Sequence, residues 1–231
     1  KVTPNHRMYV KRRGRKEYKL ERADKLFDIH VHYKKNAEWK AKGLNYFTLP
    51  RYVHETSQKK SVYSKRRLPI EPWLIFYGMW IAEGWVDNFS TLIDIHKDRV
   101  KNELTKTLTE MEFDFTISNP MRIRIPDKQL AGYLRPFKGA LNKRLDEWVW
   151  ELNQEQCRLL IHGLLLGDGH MNGNTPHYDT SSVQLKDDVM RLALHCGWAA
   201  NARIRYPEGR HKIIHGKDSV THADAWRLTI I

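Results

Sequence analysis

Cysteine is scarce in this sequence, since the 231 residues include only Cys157 and Cys196. Neither belongs to a Cys-x-x-Cys pair, so the sequence argues against a disulfide framework. We expect both residues to be buried free thiols, which behave as small apolar side chains. This pattern favours a reducing, intracellular setting.

Long apolar runs are also missing. No stretch of about 18 consecutive apolar residues occurs, which excludes a membrane-spanning helix of the usual kind, and no signal peptide opens the chain. Hydrophobic residues still make up 41% of the sequence, enough for a sizeable core. Because the chain starts at Lys1 and ends at Ile231 within a strand-like run, we expect a fragment of a longer polypeptide.

Acidic residues are few in the N-terminal third. Residues 1–69 hold 20 Lys and Arg but only 6 Asp and Glu, whereas residues 70–231 hold 20 and 21. The net charge of +13 therefore comes from the first third, at +14, against −1 for the rest. A strongly basic segment indicates a polyanionic partner. Any nucleic-acid contact by the remainder must depend on where its basic residues lie.

The first third contains patterns typical of short strands joined by basic loops. "RMYVKRRGRKEYKLERA" is typical of a hairpin with Gly14 in a basic turn, and "KLFDIHVHY" alternates like a strand. The polar stretch 57–67, "SQKKSVYSKRR", is typical of a linker or a solvated surface. We place a domain boundary near Pro69.

Beyond Pro69 the sequence contains an internal repeat. "FYGMWIAEG" (76–84) aligns without a gap on "IHGLLLGDG" (161–169), and the aligned pairs are Gly78 with Gly163, Ala82 with Gly167, and Glu83 with Asp168. Each copy predicts a buried helix, two strands, a second helix and two more strands. The first copy continues into a third helix at "DKQLAGYLRPF", whereas the second reaches Ile231 before that element.

Each motif combines a stripe of small residues with a terminal acid. Small residues four apart lie on one face of a helix, so the two helices can pack closely along these stripes. Glu83 and Asp168 would then lie side by side at the helix C-termini, where a carboxylate is electrostatically unfavourable. A hard cation such as Mg²⁺ would compensate both charges, and carboxylates that hold divalent ions are typical of phosphodiester hydrolysis.

Two other interpretations of the motifs are open. Each acid–glycine pair can be a simple helix stop, although two aligned copies with the same downstream elements favour a functional pair. A calcium-binding loop at "DGHMNGNTPHYD" fits poorly, because His170 replaces the Asp or Asn expected at its third position.

These paired motifs resemble the LAGLIDADG homing endonucleases in their single-chain, double-motif form. The resemblance covers about residues 69–231, including "LPIEPWLIFYGMWIAEG" and "LLIHGLLLGDGH". It implies an α+β fold of two pseudo-symmetric αββαββ(α) halves, residues 70–150 and 151–231, the second ending before its last helix. It also implies that their antiparallel sheets form a saddle that binds double-stranded DNA.

The resemblance further implies roles for individual residues. Glu83 and Asp168 are expected to bind Mg²⁺ or Mn²⁺ and to direct the cleavage of one DNA strand each. Lys143, in "LNKRLDEW", matches a family lysine that polarises the attacking water or stabilises charge. The proline of that block is replaced here by Asp146, which weakens the match.

Strand alternation selects candidate DNA contacts on the faces of the sheets that point away from the helices. The candidates are Arg122, Arg124, Arg203, Arg205, Arg227 and His96. Arginine can bind guanine bidentately or merely hold phosphate. A solvated polar sheet face would give the same alternation.

The opening "VTPNHRMYV" resembles the Thr-x-x-His block of inteins, in which the two residues assist the acyl shift at the upstream splice junction. Thr3 and His6 match that block. We therefore expect residues 1–69 to be a partial β-rich intein splicing segment with a basic linker.

The sequence thus predicts an intein-borne, metal-dependent DNA endonuclease. We expect a monomer with internal pseudo-two-fold symmetry, without membrane association, in the cytoplasm of a prokaryotic or phage-infected cell. The alternatives are a protein-splicing element with a decayed nuclease, and an intron maturase or cleavage-dead DNA-binding relative on the same fold.

Overall fold

The computed structural model describes residues 2–34, 38–95, 97–119, 121–214 and 217–231. Its first strands form small antiparallel pairings: β1 (Arg7–Arg12), β2 (Lys19–Arg22), β3 (Val31–Tyr33), β4 (Tyr46–Leu49), β5 (Tyr52–Glu55), β6 (Lys60–Tyr63) and β7 (Arg66–Pro69). β1 pairs with β2 and β3, β4 pairs with β7, and β5 pairs with β6. The predicted hairpin is present, and Gly14 adopts φ +77° in its turn.

The first half of the repeat follows β7 directly. Its elements are α1 (Ile70–Glu83), β8 (Gly84–Asp87), β9 (Ser90–Asp94), α2 (Asp98–Glu110), β10 (Thr116–Asn119), β11 (Arg122–Ile125) and α3 (Lys128–Leu134). The strands form an antiparallel sheet in the order β10-β11-β9-β8. Short 3₁₀ turns lead from α3 to the second half.

The second half repeats this order with one addition. Its elements are α4 (Gln154–Asp168), β12 (Gly169–Asn172), β13 (Thr175–Thr180), α5 (Val183–His195), β14 (Ala200–Tyr206), β15 (His211–Ile214), β16 (Lys217–Val220) and β17 (Ala225–Ile230). The sheet order β14-β17-β13-β12 matches that of the first half, and β15 and β16 form an inserted hairpin. The predicted α+β fold with two pseudo-symmetric halves is confirmed, whereas the inserted hairpin was not predicted.

The core lies between the helices and the inner faces of both sheets. Ile123, Ile125, Leu228 and Ile230 are buried, as strand alternation predicts. α1 contributes the largest buried side chains, because it is apolar on nearly all sides. Among the described residues, no helix is both long and apolar enough to cross a bilayer.

The structure packs much of the first third into this same core. Phe47, Leu49 and Leu68, on β4 and β7, are buried against α1, and Phe47 stacks on Trp73 with 4.2 Å between ring centroids. The boundary expected near Pro69 therefore falls inside a continuous packed unit. Residues 57–67, predicted as a linker or a solvated surface, are mostly exposed, and β6 and the start of β7 lie there.

A strap formed by residues 38–44 ties the first third to the second half. The Trp39 indole donates a hydrogen bond to the Leu152 carbonyl at 2.7 Å, and its ring stacks on His195. The Gln156 side chain bonds both main-chain groups of Leu44, at 2.6 and 3.0 Å. Gln156 also closes the capping box of α4 with Asn153.

We expect Gly78→Ala to destabilise the protein. A Cβ at this position would lie 2.7–2.8 Å from backbone atoms of α4, which cannot yield like a flexible side chain. Overpacking of this kind costs about 1–3 kcal/mol, opposed by up to about 1 kcal/mol of gained helix propensity. Urea denaturation would measure the free energy of unfolding, with the exposed Thr109→Ala variant as a control expected to change it by less than about 0.5 kcal/mol. An unchanged or increased stability of Gly78→Ala would contradict the close helix packing.

Candidate active site

The two motif helices meet through their small residues. A Cβ on Gly163 would lie 2.5 Å from the Ile75 carbonyl oxygen, and one on Gly167 would lie 2.5 Å from the Ala82 Cβ. The structure therefore brings the four small residues of the repeat, Gly78 among them, to one helix–helix contact. The helices approach so closely that backbone replaces side chain in the interface.

This contact places Glu83 and Asp168 together, because each is the last residue of its helix. A Cβ on Gly167 would lie only 3.4 Å from the Glu83 Cγ. A strand begins at the next residue of each half, and a side chain at Gly84 or Gly169 would collide with the preceding helical turn. The glycine after each acid thus allows the abrupt change from helix to strand.

Two concave regions flank the acids, and both are lined by Glu83 and Asp168. One, of about 310 Å³, adds basic residues of the second half and Lys97. The other, of about 340 Å³, adds Lys143 and Tyr178. The two acids therefore separate the two cavities and line both of them, and each cavity is open to solvent.

Asp168 is strongly perturbed by its surroundings. Desolvation by the cavity walls and the negative charges of Glu83 and Asp179 raise its pKa to about 7. Its side chain still contacts solvent, which weakens both the desolvation effect and the repulsion between the carboxylates. A raised carboxyl pKa of this kind indicates that the negative charge of the site is not fully compensated by nearby positive groups.

The residues fit a divalent cation at this position. Two carboxylates at helix C-termini, where the backbone also presents negative charge, are hard oxygen donors of the type that Mg²⁺ and Mn²⁺ prefer. In the described ranges no third His, Cys, Asp or Glu completes a metal-binding group. Water and substrate oxygens would therefore supply the remaining ligands, as is usual for Mg²⁺.

Lys143 is buried beneath the end of α1. Its Nζ donates hydrogen bonds to the carbonyls of Trp80, at 2.9 Å, and Gly84, at 2.7 Å, and lies 3.6 Å from the centroid of the Trp80 ring. Burial lowers its pKa to about 7, although the Glu83 charge opposes that shift. Lys143 therefore binds the helix end that carries Glu83. Together with Glu83 it lines the cavity of about 340 Å³.

In the first sheet, the candidate arginines are paired within the sheet. Arg122 binds Asp94 across the strands at 2.9 Å and stacks over the Trp85 ring. Arg124 donates to the Ser90 hydroxyl at 3.1 Å. His96 lies outside the described residues.

In the second sheet, two arginines converge on Asp179. Arg227 binds it through two hydrogen bonds of 2.8 Å, and Arg205 also forms an ion pair with it. Desolvation opposes ionisation of Asp179, but the Arg227 hydrogen bonds and both positive charges outweigh it and lower its pKa. Arg203 is exposed and lies opposite Arg227 in the strand register.

A bulge interrupts the regular strand pairing around Arg203 and Arg205. A register shift between Ile204 and Tyr206 disturbs the pairing of β14 with β17, and Ile204 is 46% exposed. A bulge adds one residue to a strand and so changes which side chains point outward.

Asp179 was not predicted as a site residue, yet it lines the cavity of about 310 Å³ together with Asp94 and the two motif acids. The repeat carried the signal, since Asp179 follows Asp94 by the same 85 residues that separate Asp168 from Glu83. Each half thus places an acid on its second strand against an arginine on its last strand.

Thr3 and His6 lie in a turn that precedes β1. The His6 amide donates to the Thr3 carbonyl at 3.0 Å, and both side chains are exposed. This position is far along the chain from the two motif acids, and the assignment to a splicing block stays a prediction.

Comparisons with known proteins match the second copy of the repeat to a family. Residues 155–231 match the sequence model of the LAGLIDADG-like domain. The chain is 33% identical over 252 residues to the ATP-dependent Clp protease proteolytic subunit of Chlamydomonas moewusii, covering 99% of this chain and 25% of that protein. It is 31% identical over 284 residues to the C-terminal section of DNA-directed RNA polymerase subunit beta of Stigeoclonium helveticum, covering 100% and 26%. The chain thus spans about a quarter of the length of each relative.

Solved structures with a similar arrangement include I-DmoI in complex with DNA and Mn. That match has 14% identity and a TM-score of 0.44, and covers 70% of this chain and 89% of the other. The N-terminal LAGLIDADG domain of DUF199/WhiA matches with 10% identity and a TM-score of 0.44, covering 68% and 75%.

We expect Lys143→Met to remove a pH dependence of stability. Folding lowers the lysine pKa from 10.5 to about 7, so between these values the unfolded chain binds a proton that the folded protein does not. The free energy of unfolding should therefore rise with pH over this window, by at most about 1.4 kcal/mol per pH unit. Denaturant titrations of parent and variant from pH 7 to 10 would measure the two slopes. The exposed Lys138→Met variant is the matched control, and equal slopes for the parent and Lys143→Met would contradict this assignment.

Proposed function

We propose that the chain is a LAGLIDADG endonuclease that hydrolyses both strands of double-stranded DNA at a specific site with a divalent metal, within an intein. The observation that supports this proposal most strongly is the carboxylate pair. Glu83 and Asp168 occupy matching positions of the two repeats. The close contact of the two helix backbones brings both acids to one solvent-open cavity. A helix stop alone would not require both copies to converge.

Glu83 and Asp168 are the residues that would hold Mg²⁺ or Mn²⁺. A bound ion of this kind supplies Lewis-acid polarisation of a phosphoryl oxygen and a more acidic bound water. The two carboxylates provide negative charge that only a cation or a proton can balance, as the raised pKa of Asp168 indicates. This arrangement favours metal-dependent hydrolysis over a covalent protein intermediate.

Lys143 keeps Glu83 in position by binding the carbonyls of Trp80, in the last turn of α1, and of Gly84, directly after the helix. In its neutral form, favoured by burial, it could accept a proton within the cavity, whereas its ammonium form would stabilise negative charge there. We assign Lys143 to the site as a positioning residue for Glu83 and as the candidate for moving a proton.

The sheets offer arginines at the entrance to the acids. Arg227 and Arg205 are oriented by Asp179, and Arg122 by Asp94. A guanidinium fixed by one carboxylate keeps further N–H donors for a DNA phosphate or a guanine edge. We propose that these residues, with Arg124, Arg203 and His96, bind the duplex over the two sheets.

The intein assignment is supported by the way the relatives match. Two proteins whose names describe unrelated activities, a protease subunit and an RNA polymerase subunit, each share a segment that covers 99–100% of this chain and about a quarter of their own length. A segment common to unrelated hosts is what a mobile in-frame insertion would produce. Thr3 and His6, in the N-terminal turn, fit a splicing block of such an insertion.

We expect Glu83→Gln and Asp168→Asn to retain DNA binding and to lose cleavage by roughly a thousandfold, because each removes a ligand worth several kcal/mol of transition-state stabilisation. Supercoiled plasmids carrying a target obtained by selection from a random library would report nicked and linear products. DNA affinity would be measured in Ca²⁺.

The control variants change acids at the opposite ends of the same helices. Glu71 and Glu155 are exposed in the first turns of α1 and α4, so Glu71→Gln and Glu155→Gln should cut like the parent protein. Cleavage retained by Glu83→Gln or Asp168→Asn would end the assignment of these acids. A parent protein that binds its target but never cuts it would instead indicate a cleavage-dead relative.

The intein assignment makes a separate prediction about the gene. DNA sequencing on both sides of this reading frame should find an upstream Cys or Ser junction and a downstream His-Asn followed by a nucleophile, within an interrupted host gene. Joined to those flanks, the chain should excise itself from a reporter protein, and Thr3→Ala with His6→Ala should slow excision. A start codon directly upstream with no splice blocks would contradict the intein proposal and leave the nuclease proposal standing.

A further inference from the structure

We propose that the β1–β2 hairpin is a second DNA-binding surface, which holds the phosphate backbone of duplex DNA outside the contact made by the two sheets. This inference rests on the proposed function and adds a surface to it. The hairpin is defined here as residues 7–22, with its basic turn at residues 11–16, "KRRGRK".

The region that carries the two sheets has little positive charge of its own. Residues 70–231 have a net charge of −1. Asp94 and Asp179 neutralise arginines on the sheet faces, and the cavity between the sheets adds Glu83 and Asp168. Affinity for a polyanion comes mainly from cations that replace its counterions, so the sheets by themselves offer a weak electrostatic attraction.

The hairpin turn carries a dense cluster of positive charge. Five of its six residues are basic, and Arg13, Arg15 and Lys16 are exposed without an ion pair to any described carboxylate. Gly14 provides the positive φ that allows the tight turn, which brings these cations to one end of the hairpin. The positive charges of this cluster repel one another unless an anion lies against them.

The acids near the turn already have partners. Glu21 is bound by Arg12 at 2.6 Å, and Glu17 lies 4.0 Å from Lys19. A concave region of about 450 Å³ lies beside them, lined also by Arg15 and Lys16. The protein therefore forms a basic hollow with polar walls, a shape suited to phosphate oxygens.

The hairpin is not built into the core of the protein. β1, β2 and β3 pack mainly on one another, and Tyr9 and Leu20 are about half exposed. Because its free cations are exposed side chains that no described carboxylate orients, we assign the surface to phosphates rather than to base edges. Phosphate contacts are independent of sequence, and they make affinity strongly dependent on salt.

The salt dependence of binding to a random-sequence duplex tests this surface without knowledge of the target. Arg13→Gln combined with Arg15→Gln should reduce the slope of log K against log salt by about 1.8, since each phosphate contact contributes about 0.9. The same change should weaken binding roughly 10–100-fold at about 0.1 M salt. Fluorescence anisotropy at several salt concentrations would measure both quantities.

Two further variants make the result unambiguous. Lys101→Gln with Lys106→Gln removes two charges from α2, on the helical side, and should leave the slope unchanged. Arg13→Lys with Arg15→Lys retains the charge and should restore the parent slope. Thermal unfolding of all variants would verify that these substitutions leave the fold intact.

The outcomes separate this inference from the proposed function. A parent protein that cleaves its target and binds random duplex with a steep slope, together with an unchanged slope for the Gln pair, would overturn the hairpin surface alone. A parent protein that neither binds duplex DNA nor cuts it would overturn the proposed function and this inference with it. The expected result is a reduced slope for the Gln pair with cleavage retained at low salt and excess protein.

Discussion

The contact between α1 and α4 is the interaction on which the rest of the structure depends. At Gly78 and Gly163 the two helices touch through backbone atoms, so even a methyl group would not fit without displacement. The acids Glu83 and Asp168 lie five residues further along each helix, at its last position. Their separation is therefore set by the packing of two rigid backbones, not by flexible side chains, which is the precision that a shared metal site requires.

Charge in this protein is distributed in a consistent way. Negative groups converge where the helices end, and burial together with the neighbouring carboxylates raises the pKa of Asp168 to about 7. On the sheets, each half pairs an aspartate of the second strand with an arginine of the last strand, Asp94 with Arg122 and Asp179 with Arg227. The excess positive charge lies in the first third of the chain. The site that would hold a cation and the surface that would attract a polyanion are thus on different parts of the molecule.

The repeat made much of the fold predictable, because helix period, strand alternation and small-residue stripes are local patterns and two copies reinforce each other. The alignment of the two copies predicted from the sequence alone that Glu83 and Asp168 lie together. Long-range packing was not predictable from the same patterns. The stacking of Trp39 on His195, the burial of Phe47 against α1 and the binding of helix-end carbonyls by Lys143 depend on contacts between distant residues. The bulge beside Ile204 also changed an alternation that the sequence alone left regular.

The central claim is that the helix contact forms one metal site from two repeats, and crystals of the protein grown with Mn²⁺ would test it most directly. Anomalous scattering locates Mn²⁺ independently of any interpretation of the density. We expect Mn²⁺ to lie where α1 and α4 end. Carboxylate oxygens of both Glu83 and Asp168 should bind the ion directly or through its bound waters. Mn²⁺ bound only elsewhere on the surface, with these two carboxylates free of metal at saturating concentration, would contradict it.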